Sequence, residues 1–240
     1  MSRWVTRAYC HAYRVDLEEA TIPTGSAFPS FDAFFTRTLK PGMRRVSSDA
    51  LVSPSDGELS SVGRVDQAGR IFVKGKPYDV GELVGDPRDA ALYTGGEFAV
   101  VYLAPRDYHR VHSPVDGAIS LVRGVAGDLY PVNAIGERHV SQLFVRNQRA
   151  AIVIDTEGLG RVTAVMVGAV IVGRISVSGI PAPDVPPGLH AMNPPLPVQK
   201  GEEIGIFHLG STVVLLLEPG LSVVRPIGPV RFGESLLRPA

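Results

Sequence analysis

The chain has a single cysteine, Cys10, among 240 residues. That excludes an intramolecular disulfide framework and any metal site built from thiolates alone, and it suits a reducing compartment. An excess of one charge is also missing: 24 basic and 24 acidic side chains cancel. A strongly basic surface for nucleic acid is therefore not expected. Long apolar runs are absent. The longest, Val162 to Gly173, is far short of the ~20 residues of a membrane span. Rich in Val and Ile and broken by Gly168, it reads as a buried strand or strand pair. No secretory leader is expected in Met1 to Ala20, where no continuous apolar run ends in a small-residue cleavage site.

Glycine and proline are plentiful, at 26 and 20 residues, and follow no collagen period. They read as punctuation between many short strands, and 45% hydrophobic residues are enough for a sizeable core. The texture changes near residue 50. Residues 1–48 look helical and mildly basic. Trp4, Ala8, His11 and Val15 share one helical face, and Ser30 caps a short helix bearing Phe31, Phe34 and Phe35. From Leu51 onward, segments such as Gly57 to Val65, Phe98 to Leu103, Ala151 to Ile154, Arg161 to Val172 and Thr212 to Leu217 alternate with turns. Residues 179–197 hold seven prolines, which predicts an extended loop, because proline cannot donate to a sheet ladder. The expected fold is α+β and predominantly β. An antiparallel barrel-sandwich core over residues 49–240 follows short N-terminal amphipathic helices within residues 1–48.

Three segments could carry chemistry. Asp56 lies in Ser53-Pro54-Ser55-Asp56-Gly57, a phrase echoed by Ser113-Pro114-Val115-Asp116-Gly117. Alone it reads as a turn aspartate, and the echo as either an internal duplication or a favoured turn. His109 and His112 lie in Tyr108-His109-Arg110-Val111-His112. They suit acid–base work at neutral pH or a polar surface loop, and with no cysteine or Glu-x-x-His companion they are not expected to bind a metal. Gly210-Ser211 separates two apolar runs. It lacks the second glycine of a Gly-x-Ser-x-Gly elbow, so it reads as a hairpin, or as a bond open to attack by its own serine hydroxyl. Together, an aspartate, a histidine and a serine supply an orienter, a base and a nucleophile.

These segments, with Phe34 to Gly42, Tyr102 to Pro114, Gly127 to Asn133, Asn147 to Thr156, Val167 to Gly173 and Leu209-Gly210-Ser211-Thr212, make the chain resemble the phosphatidylserine decarboxylases of the bacterial and mitochondrial type. The family's Pro-Ala-Asp-Gly is Pro-Ser-Asp-Gly here, which leaves Asp56 in place. The resemblance implies a proenzyme that cuts itself between Gly210 and Ser211. His109 would take the Ser211 proton and Asp56 would orient His109. Ser211 would end as a pyruvoyl group heading residues 211–240, with residues 1–210 as the larger chain. That covalent cofactor would form a Schiff base with phosphatidylserine and yield phosphatidylethanolamine, with His112 assisting this second stage. The resemblance further implies a heterodimer of the two cleavage chains, assembled into a homo-oligomer. Its place would be the cytoplasmic side of the cell membrane, as a peripheral protein. Two other readings stay open: a decarboxylase for a different serine phospholipid, and a non-catalytic carrier domain. The carrier reading rests on the turn-strand rhythm of Val198 to Gly205, with His112 as phosphoryl acceptor.

Overall fold

A computed structural model describes residues 3–23, 28–132, 134–170, 174–208 and 211–237. Two helices come first, α1 (Arg3–Tyr13) and α2 (Phe31–Phe35). Then follow β1 (Gly57–Arg64), β2 (Arg70–Val73), β3 (Lys76–Asp79), α3 (Val80–Val84), α4 (Ala90–Tyr93), β4 (Glu97–Leu103), β5 (Arg110–His112) and β6 (Gly117–Val125). The chain continues with α5 (Ala134–His139), α6 (Leu143–Arg146), β7 (Arg149–Asp155), β8 (Arg161–Gly168), β9 (Ile175–Val177), β10 (Gly188–Val198), β11 (Glu203–Phe207), β12 (Ser211–Leu217) and β13 (Gly228–Val230). The protein is mostly β, and its ladders run antiparallel.

One eight-stranded sheet organises the molecule, in the order β10-β6-β7-β8-β12-β4-β1-β13. Its central strands are buried on both faces, which is why β4, β8 and β12 read as nearly unbroken apolar runs rather than as alternating ones. Successive residues still point to opposite sides. Val101, Leu103, Val213 and Leu215 join a core covered by the smaller sheet β5-β11-β9 through Val111, Ile204 and Phe207. Val100, Val214 and Leu216 join a second core under the β2-β3 hairpin and the short helices, with Tyr78, Leu83, Tyr93 and Phe144.

Two expectations change. The barrel does not close among the described residues, because the sheet ends at β10 and β13. Both edges carry proline, at Pro194, Pro195 and Pro197 on one and Pro229 on the other, and proline offers no donor for a further strand. The proline-rich stretch is also not wholly a loop. Residues from Gly188 to Val198 pair with β6 as an edge strand, and the register breaks between Ala191 and Leu196, where Pro194 and Pro195 sit. Edges and bulges are where a sheet tolerates proline. Helices α1 and α2 stand where expected. Amphipathic burial of α1 is not established: its residues 6–13 are half-buried or exposed, and the side chains of residues 3–5 lie outside the description.

Arg149 joins the second core to the sheet. Its guanidinium donates to the carbonyls of Glu82 (2.6 Å), Leu83 (2.9 Å), Asn147 (3.0 Å) and Val145. It thereby takes up carbonyls around the ends of α3 and α6. Burial lowers its pKa to about 10. Arg149→Met would take this donor from all four carbonyls, of which Glu82 keeps the Gly85 N–H, and should cost on the order of 3 kcal/mol, read as a lower urea midpoint in a Ser211→Ala background. A midpoint within error of the parent would remove Arg149 from this role.

Candidate active site

The two echoed phrases fold alike and grip each other. Ser53 Oγ donates to the Ser55 carbonyl (2.8 Å), and Ser113 Oγ donates to the Val115 carbonyl (2.7 Å). The Val52 N–H bonds to the Pro114 carbonyl (3.0 Å), and the His112 N–H bonds to the Pro54 carbonyl (2.7 Å). Each phrase then launches a strand from its glycine. A Cβ on Gly57 would stand 2.3 Å from the Tyr102 carbonyl oxygen, and one on Gly117 would stand 2.5 Å from that of Asp155. Only glycine lets these strands start so close to their neighbours. The reciprocal pairing sets the Asp56 turn against the histidine strand.

Both histidines are buried and oriented by backbone carbonyls. His109 has no exposed surface, lies against the Phe35 ring (4.0 Å between centroids), and donates Nδ1–H to the Asp107 carbonyl (2.9 Å). That leaves Nε2 carrying the lone pair, buried and, among the described residues, without a hydrogen-bond partner. His112 donates Nδ1–H to the Gly201 carbonyl (2.7 Å), and its Nε2 accepts from the Tyr108 hydroxyl (3.2 Å). Its ring stacks on Phe232 at 3.8 Å. The stretch that suggested a carrier domain thus supplies, in Gly201, the carbonyl that fixes His112.

Ser211 heads β12 between β4 and β8, paired with Leu103 and Gly168. It is fully buried, and its Oγ has no hydrogen-bond partner among the described residues. Gly210, the other half of the expected cleavage bond, lies outside the described residues. The Phe207 N–H donates to the His109 carbonyl (3.0 Å). Four residues span at most roughly 14 Å, so Ser211 cannot be far from the histidine strand.

Asp56 does not reach His109. Its carboxylate accepts from Arg44 Nη2 (2.5 Å), Arg44 Nε (3.1 Å) and the Phe232 N–H (2.9 Å). Arg44 also pairs with Glu19 (2.6 Å). The backbone N–H that binds Asp56 therefore belongs to the residue whose ring covers His112. The negative charge of Asp56 acts on His112, opposing the effect of its burial, and does not figure among the influences on His109. The sequence does not single out Arg44, which contributes only to the mildly basic character of residues 1–48.

A cleft of about 580 Å³ opens beside these groups, lined in part by Arg14, Arg37, Arg44, Asp56, Asp107 and Tyr108. Arg37 is nearly buried; its Nη2 donates to the carbonyls of Arg106 (2.9 Å) and Asp107 (3.1 Å). Asp107 O therefore holds both Arg37 and His109, and the Arg37 charge adds to the burial that keeps His109 neutral.

Residues 31–238 match the family model described as phosphatidylserine decarboxylase. The chain belongs to the phosphatidylserine decarboxylase family. Curated relatives agree along nearly the whole length. A phosphatidylserine decarboxylase proenzyme of Anaeromyxobacter sp. (strain K) is 41% identical over 242 residues, covering 96% of this chain and 85% of the relative. The proenzyme of Azotobacter vinelandii is 41% identical over 249 residues, with the same coverage. That of Bordetella pertussis is 40% identical over 254 residues, covering 100% and 84%. Family membership puts the buried serine and the two oriented histidines in an enzyme, a decarboxylase, rather than in a carrier.

Burial sets the protonation of the site. It lowers the His109 pKa from 6.5 to about 3 and lowers that of His112 as well. Between those limits the unfolded chain binds a proton at His109 that the folded chain refuses. The contribution to stability is complete above pH 6.5 and is lost as pH falls toward 3. In a Ser211→Ala chain, the urea midpoint should therefore drop between about pH 7 and pH 4. His109→Asn retains a donor for the Asp107 carbonyl but has no titrating ring, so it should flatten that slope. An equally steep slope in the variant would contradict a buried neutral imidazole.

Proposed function

We propose that the chain is a proenzyme that cuts itself between Gly210 and Ser211 and then decarboxylates phosphatidylserine to phosphatidylethanolamine. One observation supports this most: among the described residues, Ser211 Oγ and His109 Nε2 are buried polar atoms with no hydrogen-bond partner. Burying such atoms unpaired costs about 1–3 kcal/mol each, an expense that suits groups held ready for a reaction.

In the first stage His109 Nε2 takes the Ser211 hydroxyl proton. Oγ bonds to the Gly210 carbonyl carbon, the bond from that carbon to the Ser211 nitrogen breaks, and the nitrogen accepts a proton. Loss of the residue 211 Cα proton then breaks the Cβ–Oγ bond, which frees residues 1–210 with a terminal carboxylate and leaves a dehydroalanine; water hydrolyses its imine form, ammonia departs, and a pyruvoyl group remains. Position 211 suits a pyruvoyl group made from its own serine. It is buried, fixed by ladders on both sides, and carries no competing hydrogen bond. A ketone carbonyl there supplies the electron sink that no unmodified side chain offers. The two products should stay together as one heterodimer, because β12 is laddered to β4 and β8 of the larger chain. In the second stage His112, its Nδ1–H held by Gly201, takes up a solvent proton at Nε2 and delivers it to the carbon that lost the carboxylate.

A second assignment of the histidines rests on Asp56. Its charge acts on His112 rather than on His109, which favours His112 as the base of the first stage. Single variants separate the two assignments. Ser211→Ala should abolish both cutting and decarboxylation. If His109 is the base, His109→Ala stays whole, and His112→Ala cuts at least partly but turns over poorly. The reverse pattern exchanges the two roles. Turnover of phosphatidylserine by Ser211→Ala would end the proposal altogether. Parallel assays with other serine phospholipids as substrate would show whether the head-group assignment is too narrow.

The substrate's two chains keep it in the bilayer, so the protein must come to it. None of the described helices is long and apolar enough to cross a membrane. Residues 1–48 are the proposed contact, on the cytoplasmic face. Arg7, Tyr13 and Arg14 are exposed, and Arg14 also lines the cleft. Each basic residue near an anionic surface contributes about 1 kcal/mol, enough in sum for reversible attachment. Sedimentation with liposomes should rise with phosphatidylserine content, fall with salt, and drop when residues 1–15 are removed. Unchanged sedimentation after that truncation would move the contact to another surface.

A further inference from the structure

Helix α2 touches the reacting region twice. Phe35 lies against the His109 ring at 4.0 Å. Asp32, three residues earlier and so on the same helical face, reaches His208. There Asp32 Oδ1 stands 2.7 Å from His208 Nδ1 and 3.2 Å from Arg174 Nη2. His208 Nε2 stands 3.2 Å from Ser176 Oγ, and Arg174 Nη2 lies 3.3 Å from Nδ1. With Nδ1–H directed at Asp32, Nε2 accepts from the Ser176 hydroxyl. The backbone is held too, since the His208 N–H donates to the Arg174 carbonyl (3.1 Å).

These groups share the Asp–His–Ser connectivity of a nucleophile relay, but their place in the chain suggests another task. His208 lies two residues before Gly210. Attack on a carbonyl needs the reacting atoms about 3–3.5 Å apart and aligned. The Ser211 side is fixed by its pairing with Leu103 and Gly168. The carbonyl side needs a fixed point of its own, since two residues can span roughly 7 Å.

We infer that Asp32, His208 and Ser176 form a positioning device. It ties the upstream flank of the Gly210–Ser211 bond to the helix that packs on His109. This rests on the self-cleavage proposed above. His208 and Asp32 are positioning residues, acting on alignment and not on the reacting atoms.

The test follows cutting of pulse-labelled full-length chain in the wild type and in Asp32→Ala, His208→Ala and His208→Asn. Asp32→Ala and His208→Ala should cut about tenfold to a hundredfold more slowly, the scale of a misplacement near 1 Å. His208→Asn keeps a donor for Asp32 and should recover most of the rate. The waiting chain should resist hydroxylamine, because slow alignment precedes ester formation. In a Ser211→Ala background, both alanine variants should keep the parent's thermal midpoint. Per cut molecule, kcat and KM for phosphatidylserine should match the wild type. Cutting at the wild-type rate would overturn the inference. So would accumulation of a hydroxylamine-sensitive ester, or slow cutting matched by a lowered midpoint. A wild-type chain that never cuts would instead remove the self-cleavage reading on which the inference rests.

Discussion

Among the described residues, Ser211 Oγ and His109 Nε2 are buried without a hydrogen-bond partner, as are Arg37 Nη1 and Ser55 Oγ, and much of the structure serves to hold the first two in place. A hydroxyl and an imidazole lone pair would ordinarily rotate or shift toward water or a neighbour. Here Ser211 is the first residue of a strand laddered on both sides. The His109 ring is held by the Asp107 carbonyl on one side and Phe35 on the other. The sheet supplies rigidity, and its two apolar cores exclude the water that would otherwise satisfy both atoms. Sites built on strands hold such geometry better than sites built on loops.

The same constraint explains the roles of the surrounding charges. A protonated His109 could not act as a base, and burial together with the Arg37 charge keeps the ring neutral. Asp56, which a triad would place on that histidine, is instead clamped by Arg44 and the Phe232 backbone on the His112 side. The two histidines therefore work in different fields: one near the Arg37 cation and, among the described residues, without a partner at Nε2, the other near Glu203, Asp56 and Arg110 and bonded at both nitrogens. That asymmetry is a physical basis for dividing two chemical stages between two residues three positions apart.

Much of this was legible in the sequence, for reasons that particular residues make plain. The runs that become β4, β8 and β12 announce strands because they are β-branched and apolar between turns. The motifs at Asp56, His109, His112 and Ser211 announce a family. The short helices α3 to α6 did not show. Asp79 caps α3 by accepting from the Glu82 N–H at 2.8 Å, a local signal spread over too few residues to produce a period. Proline content misled at β10, because an edge strand with a broken register tolerates what a central strand does not. Long-range partners were invisible. Nothing in the chain order links Asp32 to His208, or Arg44 to Asp56; the fold alone brings them together.

The account depends most on residue 211 ceasing to be serine. Intact-mass measurement of protein purified in the form that turns over phosphatidylserine tests this directly. The expected result is two species, residues 1–210 and residues 211–240, the smaller bearing a pyruvoyl group in place of Ser211 and therefore blocked to sequencing from its N-terminus. A single species of 25.6 kDa with no carbonyl reactivity, in a preparation that still releases carbon dioxide from phosphatidylserine, would contradict it.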